Sequence, residues 1–301
     1  MTSIIALSSG TGWHIEDLTR AAAKVGVAFR ALPFDQISAL VGESNRGSRV
    51  QVGSLDLSTA DGVLVRMMPP GSLEQVVFRM DALDRLGASG MPVMNSPWSV
   101  EVSVDKYRTL ALLARAGLPT PATWAGQSAS EALNAFESLG RDVVVKPLFG
   151  AEGRGIVRVS DRETGWRIFC SLERLGSVLY LQRVIRHPGH DFRVFVLGGE
   201  VLGVMRRHSA AGEWRSNIAL GGRAEACPLE PEAARLAIAA AQAVGAEMAG
   251  VDLIPDLDQG RLVVIEVNAV PGWRALSRVT GVDVAGALLD RLARLSRRGP
   301  Q

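Results

Sequence analysis

The chain has 301 residues, 47% of them hydrophobic and 21% charged, with a mean hydropathy of +0.16; this composition supports a substantial core, excludes disorder and leaves room for two or three units. Thirty-three Lys and Arg against 31 Asp and Glu leave a formal charge of +2, and the cations are spread rather than striped, which argues against nucleic acid as a partner. No apolar run reaches the ~18 residues of a membrane span, the start Met1 to Leu7 carries no cationic leader, and Cys170 and Cys227 lack metal-like spacing, so a cytoplasmic protein without a disulfide framework or membrane partner is expected.

In chain order, Ile4 to Ser8 is a short apolar strand ending in Ser9-Gly10-Thr11-Gly12, and Ile15 to Lys24 follows with helical spacing. Val27 to Leu32, Gly62 to Arg66 and Met91 to Met94 are further strands, with a helix over Leu73 to Leu86. Strands alternating with helices predict a small parallel sheet over residues 1–97. An amphipathic helix over Asp105 to Ala116 carries Lys106 in its first turn and is stopped by Gly117, Pro119 and Pro121. A helix over Ala129 to Leu139 and a strand over Asp142 to Lys146 lead to Gly150-Ala151-Glu152-Gly153-Arg154-Gly155, with a strand from Ile156 to Val159 beyond, so the glycines link two strands. Val178 to Ile185 is a strand, and Gly198-Gly199 joins Phe192 to Leu197 and Val201 to Arg206 as a two-residue hairpin. A helix over Glu230 to Glu247, strands over Val251 to Leu253 and Leu262 to Asn268, and a helix over Val284 to Arg294 close the chain.

Several of these residues have chemical potential. In a strand side chains alternate faces, so Glu266 and Asn268 share one, roughly 6 to 7 Å apart. Their strand is otherwise apolar, as is the Gly250-Val251-Asp252 segment, and a buried carboxylate needs neutralising. Two carboxylates and an amide oxygen suit Mg²⁺ completed by phosphate oxygens and water; a strand end with Glu and Asn capping a turn is the alternative. The loop from Gly150 to Gly155 is neither a Walker loop nor a dinucleotide fingerprint; it can be a phosphate-closing flap or a plain surface turn. Lys146, on an apolar strand, calls for an anionic partner. If Leu197 pairs with Glu200, Asp191, Arg193 and Arg206 fall on one face, either as a clamp for a carboxylate or phosphoryl group or as a solvated edge. Arg215-Ser216-Asn217 is a polar segment with no core role. Trp13, His14, His187, His190 and Trp273 fit structural or rim positions.

The series Lys106, Lys146, the Gly150–Gly155 loop, Leu181 to Ile185, Asp191-Phe192-Arg193, Arg206-Arg207, Arg215-Ser216-Asn217, Gly250-Val251-Asp252 and Glu266-Val267-Asn268 resembles the ATP-grasp superfamily, and more narrowly the RimK-type amino-acid ligases, from about Ser99 to Leu295. The start Ser8 to His14 resembles the subgroup that glutamylates tetrahydromethanopterin-type cofactors. The resemblance implies an α/β chain with an ATP-grasp fold of two α+β subdomains gripping ATP: residues 98–181 with the flap and 182–301 with the Mg²⁺ site, preceded by the small α/β domain of 1–97. It implies that Lys106 and Lys146 contact ATP phosphates and that the loop with Gly150, Gly153 and Gly155 closes over them. Backbone at Gln182, Arg183 and Val184 would bind adenine, Asp191 would reach the ribose, and Arg215 and Ser216 would line the nucleotide. Asp252, Glu266 and Asn268 would hold Mg²⁺, or Mn²⁺ in its place, while Arg193, Arg206 and Asn217 face an acyl phosphate and the acceptor. Arg183 departs from the Glu that the family usually carries there, and the segment before Asp191 is one residue shorter. The implied activity is ATP-dependent amide formation through an acyl phosphate, adding glutamate or a similar amino acid to a small-molecule cofactor or peptide acceptor, by a homo-oligomer (dimer or tetramer). Specificity would involve Trp13, His14, Arg66 and Trp273. A kinase that stops at phosphorylation and a nucleotide-binding regulator are the alternatives.

Overall fold

The strand Ser3–Ser8 runs through Ile4, Ile5, Ala6 and Leu7 without alternation, and all four are buried; a strand apolar on both faces belongs in a parallel sheet covered on both sides. In the computed structural model, which describes residues 1–42, 49–150, 154–210 and 221–298, it lies between Ala28–Pro33 and Gly62–Val65, with Val93–Met94 beyond, all parallel. Leu18 and Ala21 of helix Trp13–Val25 cover one face together with Leu288 and Leu292 of the last helix, Val284–Arg298. Helix Leu73–Ala88, started by a Ser72/Gln75 capping box, covers the other face through Met80, Leu83 and Leu86. The C-terminal helix thus returns to the first sheet. A small antiparallel sheet of Ile37–Leu40, Arg49–Val52 and Leu55–Asp56, not expected from the sequence, packs beside it.

Two further antiparallel sheets follow. Val157–Val159, Val143–Lys146, Leu179–Arg183 and Thr123–Gly126 lie in that spatial order, backed by helices Ala129–Ser138 and Arg162–Arg174. Arg223–Ala226, Glu200–His208, His190–Leu197, Met248–Asp256 and Arg261–Asn268 form the other, with helix Pro231–Ala243 on one face. The expected helix at 105–116 begins at Lys106 because Asp105 caps it, its carboxylate accepting the Arg108 N–H at 2.9 Å. A separate helix, Pro97–Val104, precedes it. Asn95, fully buried, ties the first sheet to the last: its amide donates to the Met248 and Ala269 carbonyls and accepts the Met248 N–H. Among the described residues no helix is long and apolar enough to cross a membrane.

Candidate active site

Polar residues collect on the sheet face opposite helix Pro231–Ala243. Asp252 lies across from Arg193 on one neighbouring strand and Glu266 on the other, and Asn268 shares their face opposite Gly250. The three oxygen donors singled out in the sequence therefore converge.

The hairpin departs from the expected register. Leu197 pairs with Glu200 around Gly198 and Gly199, whose φ angles of 62° and 82° suit a tight hairpin turn. A bulge between Phe195 and Val196 then skips Leu202, so Phe195 faces Gly203, Asp191 faces Arg207 and Phe192 faces Arg206. One residue of slip exchanges faces. Arg206 consequently leaves the site, lying 5.4 Å from the Phe192 ring centre and 3.3 Å from Glu225. Arg207, rather than Arg206, shares a face with Asp191 and Arg193, and the cue was Gly203, since glycine inside a strand often marks a bulge.

Arg207 is buried and grips Asp191 through Nε and Nη2, both at 2.7 Å, while its Nη2 also reaches Asp252 at 2.9 Å. Arg193 pairs with Asp252 through Nε and through Nη2, the latter at 2.9 Å. Burial pushes the Asp252 carboxyl up, but the two guanidiniums outweigh it and hold it below the usual carboxylate range. Burial likewise works against the Arg207 charge, yet Asp252 and Asp191 carry its pKa above the ordinary value.

Lys146 ends its strand with Nζ donating to Gln182 Oε1 at 2.6 Å. Gln182 is itself buried, its amide donating to Thr123 Oγ1 at 3.1 Å and Tyr180 Oη at 3.4 Å, so this side chain positions the lysine. Burial pulls Lys146 down to about 8, Lys106 adding to the effect and Glu266 and Asp252 opposing it. Lys106 is also lowered by burial, and its Nζ donates to the Gly150 carbonyl at 2.8 Å, which ties it to the start of the glycine loop. A cleft of about 580 Å³ opens between the two antiparallel sheets, with Lys146, Asp191, Arg207 and Glu266 on its polar side. Val144 and Ile156, which precedes strand Val157–Val159, on one side and Ile254 and Ile265 of the other sheet supply apolar walls, the mixture typical of a small-molecule site. Lys106 borders an adjoining recess with Tyr180 and Glu266.

Residues 103–292 match the RimK-like ATP-grasp domain. The chain belongs to the RimK-like ATP-grasp family. Over 316 aligned residues it is 36% identical to the tetrahydromethanopterin:alpha-L-glutamate ligase of Methanosarcina acetivorans, spanning 96% of this chain and 97% of that protein. It is 33% identical over 241 residues to the probable alpha-L-glutamate ligase of Parasynechococcus marenigrum, spanning 79% of this chain and 50% of that one. Among solved structures, the ATP-grasp ligase PsnB complexed with minimal precursor superposes with a TM-score of 0.77 at 21% identity, over 98% of this chain and 99% of that one. The RimK domain protein of Sphaerobacter thermophilus gives 0.72 at 20%, over 97% and 100%. The ATP-grasp fold and the ligase class expected from the sequence both hold, and the two antiparallel sheets are the jaws of the grasp.

Glu266 is half-buried and has no hydrogen-bond or ion-pair partner among the described residues, although it faces the cleft that holds Lys146. Asp252 Oδ2 accepts from both arginines and Oδ1 from Arg193 alone, and Asn268 Oδ1 accepts the Val270 N–H at 2.8 Å. One open carboxylate and two partly committed oxygens fit a Mg²⁺ that takes its other ligands from phosphate and water. They do not make a closed cage, and among the described residues no group of three or more His, Cys, Asp or Glu can hold a metal. At the end of strand Leu179–Arg183, Arg183 N–H donates to the Ala122 carbonyl and Val184 N–H to that of Asp142, so neither N–H is free for a base. Among the described residues the first main-chain donor left open there is that of Ile185. Arg183, half-exposed, lies 3.9 Å from Asp256. Trp273 is fully buried, its Nε1 donating to Asp17 at 2.9 Å and its N–H to His14 Nε2 at 3.2 Å, a structural position as expected. Gly153, Arg215, Ser216 and Asn217 lie outside the described residues.

Proposed function

We propose that the protein is a carboxylate–amine ligase that uses MgATP to add glutamate, or a closely similar amino acid, to the carboxylate of a small-molecule cofactor acceptor. The observation that carries the reading is the unpartnered Glu266 carboxylate beside Asp252, sharing one cleft with Lys146. Glutamate and a cofactor-sized acceptor are supported by the near full-length likeness to the tetrahydromethanopterin:alpha-L-glutamate ligase. A peptide acceptor is the runner-up, supported by the likeness in fold to PsnB, a ligase solved with its precursor.

When bound, MgATP would supply the phosphoryl group that activates the acceptor carboxylate, and Mg²⁺ would neutralise charge on it. Glu266, with Asp252 and Asn268, would hold Mg²⁺; Mn²⁺ would suit the same oxygens. Lys146, kept in place by Gln182, offers its ammonium to the phosphates, and Lys106 couples them to the Gly150 loop. Arg193 and Arg207 are fixed by Asp252 and Asp191 before substrate arrives, so their charge is preorganised for the oxyanion that forms when the amine attacks. Apolar walls on both sides of the cleft suit a nucleobase, with Ile185 N–H as its donor. A homo-oligomer, dimer or tetramer, and a cytoplasmic setting, suited to the free thiols of Cys170 and Cys227, complete this reading.

Hydroxylamine tests the activation step. Added with ATP, Mg²⁺ and each carboxylate of an acceptor panel, it is expected to give a hydroxamate with the acceptor that is also glutamylated. Amide formation without any hydroxamate would exclude an acyl phosphate.

A further inference from the structure

A second polar cluster lies at the carboxyl edge of the first sheet, outside the cleft. From the central strand Ser3–Ser8 the chain passes to Ala28–Pro33 on one side and later to Gly62–Val65 on the other, so the connections diverge after Ser8 and a crevice opens there, the usual place for ligands of parallel sheets. Residues 8–12 form one wall. Gly10 and Gly12 take φ angles of +109° and +133°, and a Cβ at either would meet nothing within 4 Å. Only glycine enters this turn without strain, and the space beside it is open. Gly12 then starts the 13-residue helix Trp13–Val25 with no side-chain cap, so its first N–H groups have no side-chain acceptor.

Arg66 forms the opposite wall. Its backbone N–H donates to the Leu7 carbonyl at 2.9 Å, which fixes it beside the turn. The residue is only 8% exposed, and no carboxylate among the described residues pairs with it. Its Nε is buried without a partner, and Nη1 reaches only the Val270 carbonyl, at 3.4 Å. The guanidinium lies 4.8 Å from the Trp273 ring centre, a contact that offsets only part of what a buried, unpaired cation costs. Burial alone pulls it down to about 10.

His14 adds a neutral donor. Its Nε2 accepts the Trp273 N–H, which leaves the ring proton on Nδ1, and burial with Arg66 and Arg274 holds it near 4, against the pull of Asp17. Arg274, exposed, lies 5.7 Å from the Trp13 ring centre. Asp17, the nearby carboxylate, is committed to Trp273 Nε1 and to Arg20. The crevice also connects to the cleft: Val270 donates its N–H to Asn268 Oδ1, while its carbonyl accepts from Arg66.

We propose that this crevice is an oxyanion subsite, in which Arg66, His14 Nδ1–H and the free N–H groups at the start of helix Trp13–Val25 bind a carboxylate or phosphate of a substrate, away from its reacting group. It rests on the ligase reading only for whose anion it takes. Isothermal titration of the full chain with inorganic phosphate, without nucleotide, tests it. Lys146→Met, which weakens any phosphate contact in the cleft, should leave a crevice binding event of wild-type affinity in the titration. Arg66→Gln should weaken binding about tenfold, the loss of one charge-assisted contact, and the exposed Arg274→Gln should weaken it several-fold at an unchanged melting temperature. L-glutamate that displaces phosphate assigns the subsite to the amino acid; no displacement assigns it to the acceptor. No binding by wild type, loss of binding in Lys146→Met, or unchanged binding in Arg274→Gln should Arg66→Gln fail to fold, would overturn the subsite. Turnover is not read, so an inactive enzyme would leave the subsite standing, and an empty crevice would leave the ligase reading standing.

Discussion

Neighbouring arginines give the sharpest test of the hairpin. Arg207→Met keeps an unbranched apolar stem and removes the charged guanidinium, breaking the bidentate pair with Asp191 and the bond to Asp252. The side chains of Arg207, Asp191 and Asp252 are 6%, 13% and 9% exposed, so water replaces little of what is lost. Breaking one partner out of a buried ionic network costs roughly 3–5 kcal/mol. Arg206→Met removes a pair with Glu225 whose two side chains are about a third exposed and a contact with the Phe192 ring, and its cost is expected to be small. Urea unfolding at neutral pH measures both variants. The pH dependence has a defined sign: Asp252 has a folded pKa below its unfolded one, so its contribution is present above about pH 3.9 and is lost as pH falls through the folded value. Removing Arg207 raises that folded pKa, so the gap between wild type and variant should narrow on acidification. Equal losses in the two variants, or a gap that widens toward acid, would refute the bulged register and the network built on it.

Lys146 is held near 8 by burial, so the affinity of the free protein for ATP should fall by up to about tenfold per unit above pH 8, an inflection absent from Lys146→Arg. The same shift makes the unfolded chain bind more protons between about 8 and 10.4, so stability should rise with pH across that window. Glu266→Gln should lower turnover by at least roughly 10²- to 10³-fold with an unchanged unfolding midpoint; full activity would remove Glu266 from the metal site. Asn95→Ala leaves Met248 and Ala269 backbone groups unsatisfied and should cost roughly 2–4 kcal/mol in urea unfolding; a loss below about 0.5 kcal/mol would contradict its role as a tie between the sheets.

What could be read in the sequence was local. The shared face of Glu266 and Asn268 follows from the two-residue period of a strand, and Asp252 joined them because its own segment is equally apolar. The Gly198-Gly199 turn was also legible, but the register beyond it was not, because the bulge depends on pairing across the whole strand, with Leu202 skipped opposite Phe195. Arg207 takes the place expected for Arg206 for that reason alone. Helix Arg162–Arg174 has Gly165 within it and buries only that residue and Phe169 fully, so its apolar stripe is faint. The amphipathic period of the last helix was readable, while its docking against Leu18 and Ala21 on the first sheet is a long-range contact with no sequence signature. Arg66 was legible only as one of four specificity residues; that it is buried with no carboxylate paired to it among the described residues follows from the packing around it.

Mass spectrometry of a reaction containing ATP, Mg²⁺, L-glutamate and a panel of acceptors, tetrahydromethanopterin-type cofactors among them, tests the central claim most directly. The expected result is an acceptor heavier by one or more glutamyl residues, with ADP and free phosphate formed in equal amounts and one of each per amide. A stable phosphorylated acceptor without free phosphate, or glutamylation without ATP consumption, would contradict it.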